Sequence, residues 1–160
     1  MPVYQIYREQ KIPASLQEVW DFIASPSNLQ NITPEYMGFE ITTSNLPDQM
    51  YPGMIIIYKV NPIPGIKLNW VTEITHIMEK AYFVDEQRAG PYKIWHHEHK
   101  ITPVDEGVLM TDLVHYQPAF GFLGTLANRF FIRKRLDEIF EFRMQKLTEI
   151  FGQIEHGDSK

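Results

Sequence analysis

The sequence of 160 residues contains no cysteine, which excludes disulfides, thiolate metal ligands and a thiol nucleophile. Basic residues are in the minority, since 15 Lys and Arg stand against 20 Asp and Glu for a net charge of -5. An acidic chain is a poor partner for nucleic acid, which requires a basic face. The sequence also lacks a Gly-rich phosphate loop, a nucleophile elbow and a dinucleotide fingerprint. We therefore expect no cofactor and no nucleic-acid partner.

Long hydrophobic runs are missing as well. The longest uninterrupted apolar stretch, residues 54–58, is far shorter than the roughly 20 residues that a membrane helix needs. The N-terminal segment lacks the charged start and the apolar run of a secretory signal. We therefore expect a cytoplasmic protein without stable membrane insertion.

The composition is typical of a globular protein, with 44% hydrophobic and 13% aromatic residues. The chain is long enough to bury a core, and its length suits a single domain. We expect residues 1–160 to form one domain whose tail, from about residue 155, is disordered.

The hydrophobic pattern predicts the order of the helices and strands. A first strand lies within residues 3–12, and the capping box of Ser15 and Glu18 begins a short helix. A second short helix is predicted at 28–32, and a long amphipathic helix runs from about 122 to 154. Between them, runs of β-branched and aromatic residues predict six strands at 36–43, 54–60, 67–77, 81–88, 92–102 and 107–117.

This order predicts an α+β fold of the helix-grip type. A curved seven-stranded antiparallel sheet wraps around the long C-terminal helix, with two short helices after the first strand, because this arrangement buries both apolar surfaces. A sheet that curves more strongly than the helix can fill leaves a cavity between the two layers.

The stretch GPYKIWHHEHKI, residues 90–101, contains three histidines in one predicted strand. If 92–102 and 107–117 pair through a two-residue turn, side chains on one face of the hairpin meet their partners directly. That face is the more apolar one and should point inward, while His96 and His115 should point to solvent. The predicted pairs on the inward face are Trp95 with Tyr116, His97 with Val114, and His99 with Asp112.

The preceding hairpin is predicted from the same alternation. It places Asp85 beside Trp95 and Phe83 beside His97, with Gln87 also on the inward face. Polar side chains in an apolar setting need partners, because each unsatisfied buried group costs about 1–3 kcal/mol.

Three interpretations of these inward polar residues stay open. His97 and His99 with Asp112 or Asp85 offer two imidazoles and a carboxylate, a set that can bind a metal ion. His97 or His99, oriented by Asp112, can also serve as a metal-free acid–base group. In the third interpretation a hydrogen bond between His99 and Asp112 is part of a structural network that shapes the floor of a cavity.

Several motifs of the sequence resemble the SRPBCC superfamily of START-like and birch-pollen-allergen-like helix-grip proteins. More narrowly, they resemble an uncharacterised ligand-binding branch that is related to polyketide cyclase/dehydrase-like proteins. The motifs span nearly the whole chain and are Val19-Trp20-Asp21-Phe22, Asn28-Leu29, Thr33-Pro34, Trp70 to Ile74, Phe83-Val84-Asp85-Glu86-Gln87, Gly90-Pro91-Tyr92, Trp95-His96-His97-x-His99 and Thr111-Asp112-x-Val114-x-Tyr116.

The resemblance implies a hydrophobic cavity between the sheet and the C-terminal helix that binds a lipid-like or polycyclic aromatic small molecule. Because some relatives are cyclases or hydrolases, the alternative is a cyclase/aromatase- or hydrolase-type enzyme that uses His97, His99 and Asp112. The motif residues that carry over to the site are Asp85, Gln87, Trp95, His97, His99, Asp112 and Tyr116.

Inward side chains of the predicted sheet and helix supply the expected lining. Small-molecule sites are mostly apolar and contain a few convergent polar groups. The same residues would also suit an ordinary filled core, and this alternative stays open. The expected lining residues, besides the polar ones above, are Tyr58, Trp70, Ile74, Phe83, Trp95, Met110, Tyr116, Phe130, Leu136 and Phe140.

Two loops and one basic cluster can also each be interpreted in two ways. The loop at 61–65 is either a connector or a lid with Ile63 at its tip, and the loop at 117–124 is either a connector or a hinge for the helix. The basic cluster is either a solvated face, paired with acids such as Glu138, or a surface for an anionic membrane or an acidic ligand tail. It comprises Arg129, Arg133, Lys134 and Arg135.

Overall fold

The computed structural model describes residues 2–63 and 66–153. In this part of the chain the strands are β1 (Tyr4–Ile12), β2 (Glu40–Ile41), β3 (Met54–Ile63), β4 (Ile66–Met78), β5 (Tyr82–Ala89), β6 (Tyr92–Val104) and β7 (Gly107–Pro118). The α-helices are α1 (Leu16–Ile23), α2 (Gly121–Ala127) and α3 (Arg133–Phe151). The strands form one antiparallel sheet in the order β1-β7-β6-β5-β4-β3-β2, which confirms the predicted α+β helix-grip architecture.

The capping box at the start of α1 is confirmed. The hydroxyl of Ser15 accepts a hydrogen bond from the backbone N–H of Glu18 (3.3 Å), and the Glu18 carboxylate accepts one from the backbone N–H of Ser15 (2.9 Å). These bonds satisfy two of the free N–H groups at the helix start. The helix buries Val19, Trp20 and Ile23 against the sheet and closes one end of the core.

The predicted long C-terminal helix is confirmed and contains one irregularity. A π-turn, Asn128–Ile132, connects α2 to α3, so the three segments together cover residues 121–151. Within this turn the side chain of Asn128 is buried, and its Oδ1 accepts a hydrogen bond from the hydroxyl of Tyr116 (2.9 Å). The π-turn is therefore anchored to the end of β7. We refer to residues 121–151 as the C-terminal helix.

Polar contacts attach α3 to the edge strand β1. Arg8 forms an ion pair with Asp137 (2.6 Å), and the amide of Gln10 donates to the carbonyl of Met144 and to the hydroxyl of Thr148 (2.9 Å each). The helix is thus held at one side of the sheet. Space remains over the concave surface of the central strands.

The register of β6 and β7 is confirmed. The pairs on the inward face are Trp95 with Tyr116, His97 with Val114, and His99 with Asp112. The predicted register of β5 and β6 is wrong by two residues. The observed pairs are Asp85 with His97 and Phe83 with His99. A shift of two residues is one full repeat of side-chain orientation, so the same side chains still share the inward face.

The side chain of Gln87 accounts for the shifted register. The amide of Gln87 donates to the carbonyl of Tyr92 (2.6 Å) and accepts from its backbone N–H (3.2 Å), so a side chain occupies the place of a backbone pair. The last backbone pair joins Glu86 to His96, and the connection is wider than the predicted tight turn.

The segment between α1 and β3 differs from the prediction. The helix predicted at 28–32 is replaced by a 3-10 turn at Pro26–Leu29, and the strand predicted at 36–43 is replaced by a second 3-10 turn, Glu35–Met37, and the two-residue β2. The proline begins the first turn because it needs no backbone N–H partner there. Gly38, in the left-handed conformation (φ 52), ends the second turn.

Some predictions fall outside the described residues. They are the helix end at Ile154, the disordered tail from about 155, and the lid with the side chain of Ile63 at its tip. The assignment of one domain to residues 1–160 stays a prediction. In the described part of the chain, no helix is both long and apolar enough to cross a membrane.

Gly107 should be essential for the turn between β6 and β7. Its φ is 141, and a Cβ at this position would overlap the backbone carbonyl oxygen of Ile12. We expect Gly107→Ala to lower the free energy of unfolding by about 2 kcal/mol or more, through backbone strain and overlap together. Urea unfolding followed by tryptophan fluorescence measures this loss.

Gly53 supplies the matched control. It also has a positive φ of 87, but nothing lies within 4 Å of the position of its Cβ. Gly53→Ala should therefore cost only the backbone strain, about 1 kcal/mol. Equal losses in the two variants would contradict the role that we assign to the contact between Gly107 and Ile12.

Candidate functional site

A cavity of about 520 Å³ lies between the sheet and the C-terminal helix. Its wall is formed by side chains from β3 to β6, from residues 29–39 and from the C-terminal helix, and most of them are apolar or aromatic. Four wall residues are also exposed, namely Ala127, Phe120 (84%), Leu123 (69%) and Phe131 (40%). The mouth of the cavity therefore lies beside α2.

Ten of the fifteen residues predicted for the site line this cavity. They come from five different elements, β3 to β6 and α3, which the fold brings together around one space. The open question of cavity or filled core is thus answered in favour of a cavity. The ten residues are Tyr58, Trp70, Ile74, Phe83, Asp85, Trp95, His97, His99, Leu136 and Phe140.

The other five predicted residues lie elsewhere. Met110 is buried in the core, and the fully buried Tyr116 directs its hydroxyl to the π-turn. The side chain of Gln87 is engaged with the backbone of β6, and Asp112 is buried in contact with His97 and Arg143 rather than at the cavity wall. These four residues can influence the site only through their neighbours.

Phe130 was predicted to line the cavity, but it is absent from the cavity wall and is 72% exposed. Phe130 precedes Leu136 by six residues, which places it about 240° away around an α-helix. The side chains of Ile132 and Ile139 line the cavity instead.

Aromatic rings form one wall of the cavity. The ring of Trp70 stacks on Tyr58 (centroids 5.8 Å apart) and meets Trp95 edge-on (5.2 Å), while Tyr92 lies 5.0 Å from Trp95. The indole N–H of Trp70 is buried and has no hydrogen-bond partner among the described residues.

A charged cluster lies at the floor of the cavity. Nε2 of His97 donates to Asp112 (2.9 Å), and Nε2 of His99 donates to Asp85 (2.7 Å). The hydrogen bond predicted between His99 and Asp112 is not formed, although Nδ1 of His99 lies 3.2 Å from Oδ1 of Asp112 in an unfavourable geometry. Arg143 of α3 donates to that same Asp112 oxygen (3.1 Å). We call these five residues the floor cluster.

Burial opposes the charged form of the two histidines and the two aspartates, and only at His99, Asp85 and Asp112 do the neighbours outweigh its effect on the pKa. Burial and repulsion from His99 lower the pKa of His97 to about 4. Burial also opposes the charge of His99, but its contacts with Asp112 and Asp85 outweigh burial and raise its pKa. Against the effect of burial, Arg143 and the histidines hold the pKa of Asp112 well below its ordinary value, and the histidines lower the pKa of Asp85. When His99 is protonated and His97 is neutral, the positive charges of His99 and Arg143 balance the carboxylates of Asp85 and Asp112.

Arg143 was missed by the sequence reasoning. It is only 9% exposed and lies on the buried face of α3 with Leu136, Phe140 and Leu147. Those spacings of four, three and four residues are the signal that could have identified it, since an arginine within an apolar stripe needs a buried partner. That partner is Asp112.

Three residues of the floor cluster also have the composition of a metal site. One ligand atom each from Asp85, His97 and His99 lies within 4.8 Å of the others. Two imidazoles and a carboxylate can hold a transition metal ion. In this structure His99 bonds to Asp85, His97 bonds to Asp112 and the Arg143 cation pairs with Asp112, while Nδ1 of His99 has no hydrogen-bond partner among the described residues.

Comparison with protein families gives a match over most of the chain. The family described as "Polyketide cyclase / dehydrase and lipid transport" matches residues 12–143. This region includes every element from α1 to β7 and most of α3, and thus all of the floor cluster. A search of curated proteins gave no match.

Solved structures with the same fold come from bacteria and from a plant. Protein CV1439 from Chromobacterium violaceum has a TM-score of 0.71 at 10% identity, covering 94% of this chain and 99% of its own. The major latex-like protein 151 from Panax ginseng has a TM-score of 0.66 at 13% identity, with 93% and 97% covered. Protein TTHA0849 from Thermus thermophilus has a TM-score of 0.64 at 17% identity, with 92% and 95% covered. At these identities the likeness establishes the fold.

Because of His97, the free energy of unfolding should decrease as the pH falls from 6.5 to 4. Its pKa is about 4 in the folded chain against an ordinary value of 6.5, so the unfolded chain binds the proton first as the pH falls. The stability contributed by the neutral ring is fully present above pH 6.5 and is lost towards pH 4, by about 3 kcal/mol. Urea unfolding at a series of pH values measures this slope.

The neighbouring His99 cannot produce this slope. Its pKa is raised, so its contribution is fully present below pH 6.5 and is lost as the pH rises through its folded value. His97→Gln should therefore flatten the profile, while His76→Gln, which replaces an exposed imidazole on β4, should keep the wild-type slope. An unchanged slope in His97→Gln would refute the assignment.

Arg143→Gln should be strongly destabilising. The substitution leaves the Asp112 carboxylate buried without its cation, which typically costs about 3–5 kcal/mol. The exposed pair of Lys146 with Glu149 on the same helix provides the control, and Lys146→Gln should cost less than about 1 kcal/mol. The measurement is again urea unfolding at neutral pH. Similar costs for the two variants would mean that the buried pair does not stabilise α3 against the sheet.

Proposed function

Since this chain belongs to the family described as polyketide cyclase/dehydrase and lipid transport, we propose that it binds a hydrophobic small molecule reversibly in the cavity beneath the C-terminal helix. The observation that carries the proposal is the cavity itself, with about 520 Å³ of space and a mostly apolar wall. Ligand pockets typically measure about 300–1,000 Å³ and combine apolar walls with a few convergent polar groups. Floor and wall together meet this description.

The wall and floor favour a ligand of mixed character. Flat aromatic surfaces from Tyr58, Trp70 and Trp95 suit a polycyclic aromatic or lipid-like body. The carboxylate of Asp85, whose side chain is 15% exposed, is an acceptor that lines the cavity. We therefore infer that the ligand carries a hydrogen-bond donor such as a hydroxyl group.

The alternative prediction of a cyclase/aromatase- or hydrolase-type enzyme stays a prediction. His97 and His99 have pKa values displaced in opposite directions, a property that acid–base pairs share. Asp112, however, is turned away from the cavity and bonded to Arg143, so it is placed to hold the imidazoles rather than to meet a substrate. The absence of nucleic-acid partners and the cytoplasmic location also stay predictions.

A plug at the mouth of the cavity tests the proposal. Ala127 lines the cavity near its mouth and is exposed, so Ala127→Trp should obstruct entry without disturbing the core. We expect the wild-type chain to bind a fluorescent fatty acid or a polycyclic aromatic probe, and Ala127→Trp to weaken binding at least about tenfold by steric exclusion. Fluorescence titration gives the affinities, and native mass spectrometry identifies what co-purifies.

Ala89→Trp is the matched control, because Ala89 is an exposed alanine at the end of β5, outside the cavity wall. It should bind the probes as the wild type does. If the wild-type chain binds none of the fatty-acid, sterol or polycyclic probes, or if both variants bind alike, the proposal is wrong.

A further inference from the structure

An apolar surface that residues 2–63 and 66–153 leave uncovered lies on the outside of α2. Five large side chains are exposed within residues 120–130, with exposed fractions from 44% for Leu126 to 84% for Phe120. Single exposed apolar residues are ordinary, whereas a cluster of this kind marks an interaction surface. The members, which we call the α2 patch, are Phe120, Phe122, Leu123, Leu126 and Phe130.

The backbone conformation around α2 directs these apolar side chains outward. Phe120 adopts the left-handed conformation (φ 64), which costs a bulky residue about 1–3 kcal/mol and persists only where the surroundings impose it. Gly124 lies directly against Ala119, and a Cβ on Gly124 would overlap the Ala119 carbonyl oxygen. The inner face of α2 thus packs on the chain that precedes it, and no described residue covers the outer face.

Basic residues border the patch. The sequence has no acidic residue between Asp112 and Asp137, although the chain as a whole is acidic. In the described part of the chain, the exposed Arg129 and Lys134 form no ion pair. The other two basic residues are paired, Arg133 with Asp137 and Arg135 with Glu138 (3.2 Å each).

We propose that the α2 patch, together with Arg129 and Lys134, docks this protein on the surface of an anionic lipid bilayer. Apolar side chains that flank a helix enter the interfacial layer, while neighbouring cations meet the lipid phosphates. The helix lies in the plane of the surface and does not cross the bilayer. A second copy of this chain suits the patch less well, because contact between two such patches brings like charges together.

The α2 patch adjoins the mouth of the cavity. Phe120 and Leu123 belong both to the patch and to the cavity wall, so a docked chain turns the mouth of the cavity towards the lipid. A poorly soluble ligand could then move between bilayer and cavity without crossing water. Docking itself needs no ligand, so it can be tested independently of the proposed function.

Vesicle co-sedimentation of the full chain, without added ligand, tests the docking. The vesicles contain either phosphatidylcholine alone or phosphatidylcholine and phosphatidylglycerol in equal parts. We expect partitioning onto the anionic vesicles to be at least about tenfold stronger and to weaken as salt is added.

Two double variants separate the apolar and the charged contributions. Phe122→Ser with Phe130→Ser, and Arg129→Glu with Lys134→Glu, should each lower partitioning onto anionic vesicles about tenfold or more. All four side chains are exposed, so the thermal unfolding temperature should not change and a loss of binding cannot be a loss of folding.

The controls make equivalent changes elsewhere on the surface. Tyr51→Ser with Met78→Ser removes two side chains that are 55% and 57% exposed, and Lys11→Glu with Lys100→Glu makes the same change in charge. Both should partition like the wild type. The proposal is overturned if the wild type ignores anionic vesicles or if the controls lose as much binding as the patch variants. It is also overturned if sedimentation velocity finds a dimer that Phe122→Ser with Phe130→Ser dissociates.

Discussion

The buried ion pair between Arg143 and Asp112 is the contact on which the floor of the cavity depends. It joins α3 to β7 beneath an otherwise apolar space, and it supplies the positive charge that lets Asp112 remain ionised there. Asp112 in turn accepts a hydrogen bond from His97 and contacts His99. The orientation of the His97 imidazole follows from this pair, whereas the His99 imidazole is oriented by its hydrogen bond to Asp85.

The fold and the histidine face could be predicted from the sequence because both depend on local periodicity. Alternation along β6 and β7, with a short turn between them, was enough to place His99 opposite Asp112. The same reasoning failed for β5 and β6, where the side chain of Gln87 replaces a backbone pair and widens the connection. Alternation still placed Asp85 on the correct face, since a shift of two residues preserves orientation.

The partners within the site could not be predicted in the same way, since they depend on how α3 meets the sheet. Arg143 is one charge among many in the sequence, and only its place in the apolar stripe distinguishes it. The bonding of His99 to Asp85 rather than to Asp112 is decided by ring orientation, which the register leaves open. The outward direction of Phe130 depends on the phase of a helix that includes a π-turn.

The two-residue strand β2 has a consequence for solubility at high concentration. Beyond it, the outer edge of β3 is occupied by threonines, since Thr43 accepts from the backbone N–H of Ile57 (2.7 Å) and the backbone N–H of Thr42 donates to the Ile57 carbonyl (2.8 Å). Both backbone groups of Ile57 are thus engaged and are not available to a strand of another molecule. This margin of the sheet therefore resists the lateral stacking by which crowded β-proteins grow into fibrils.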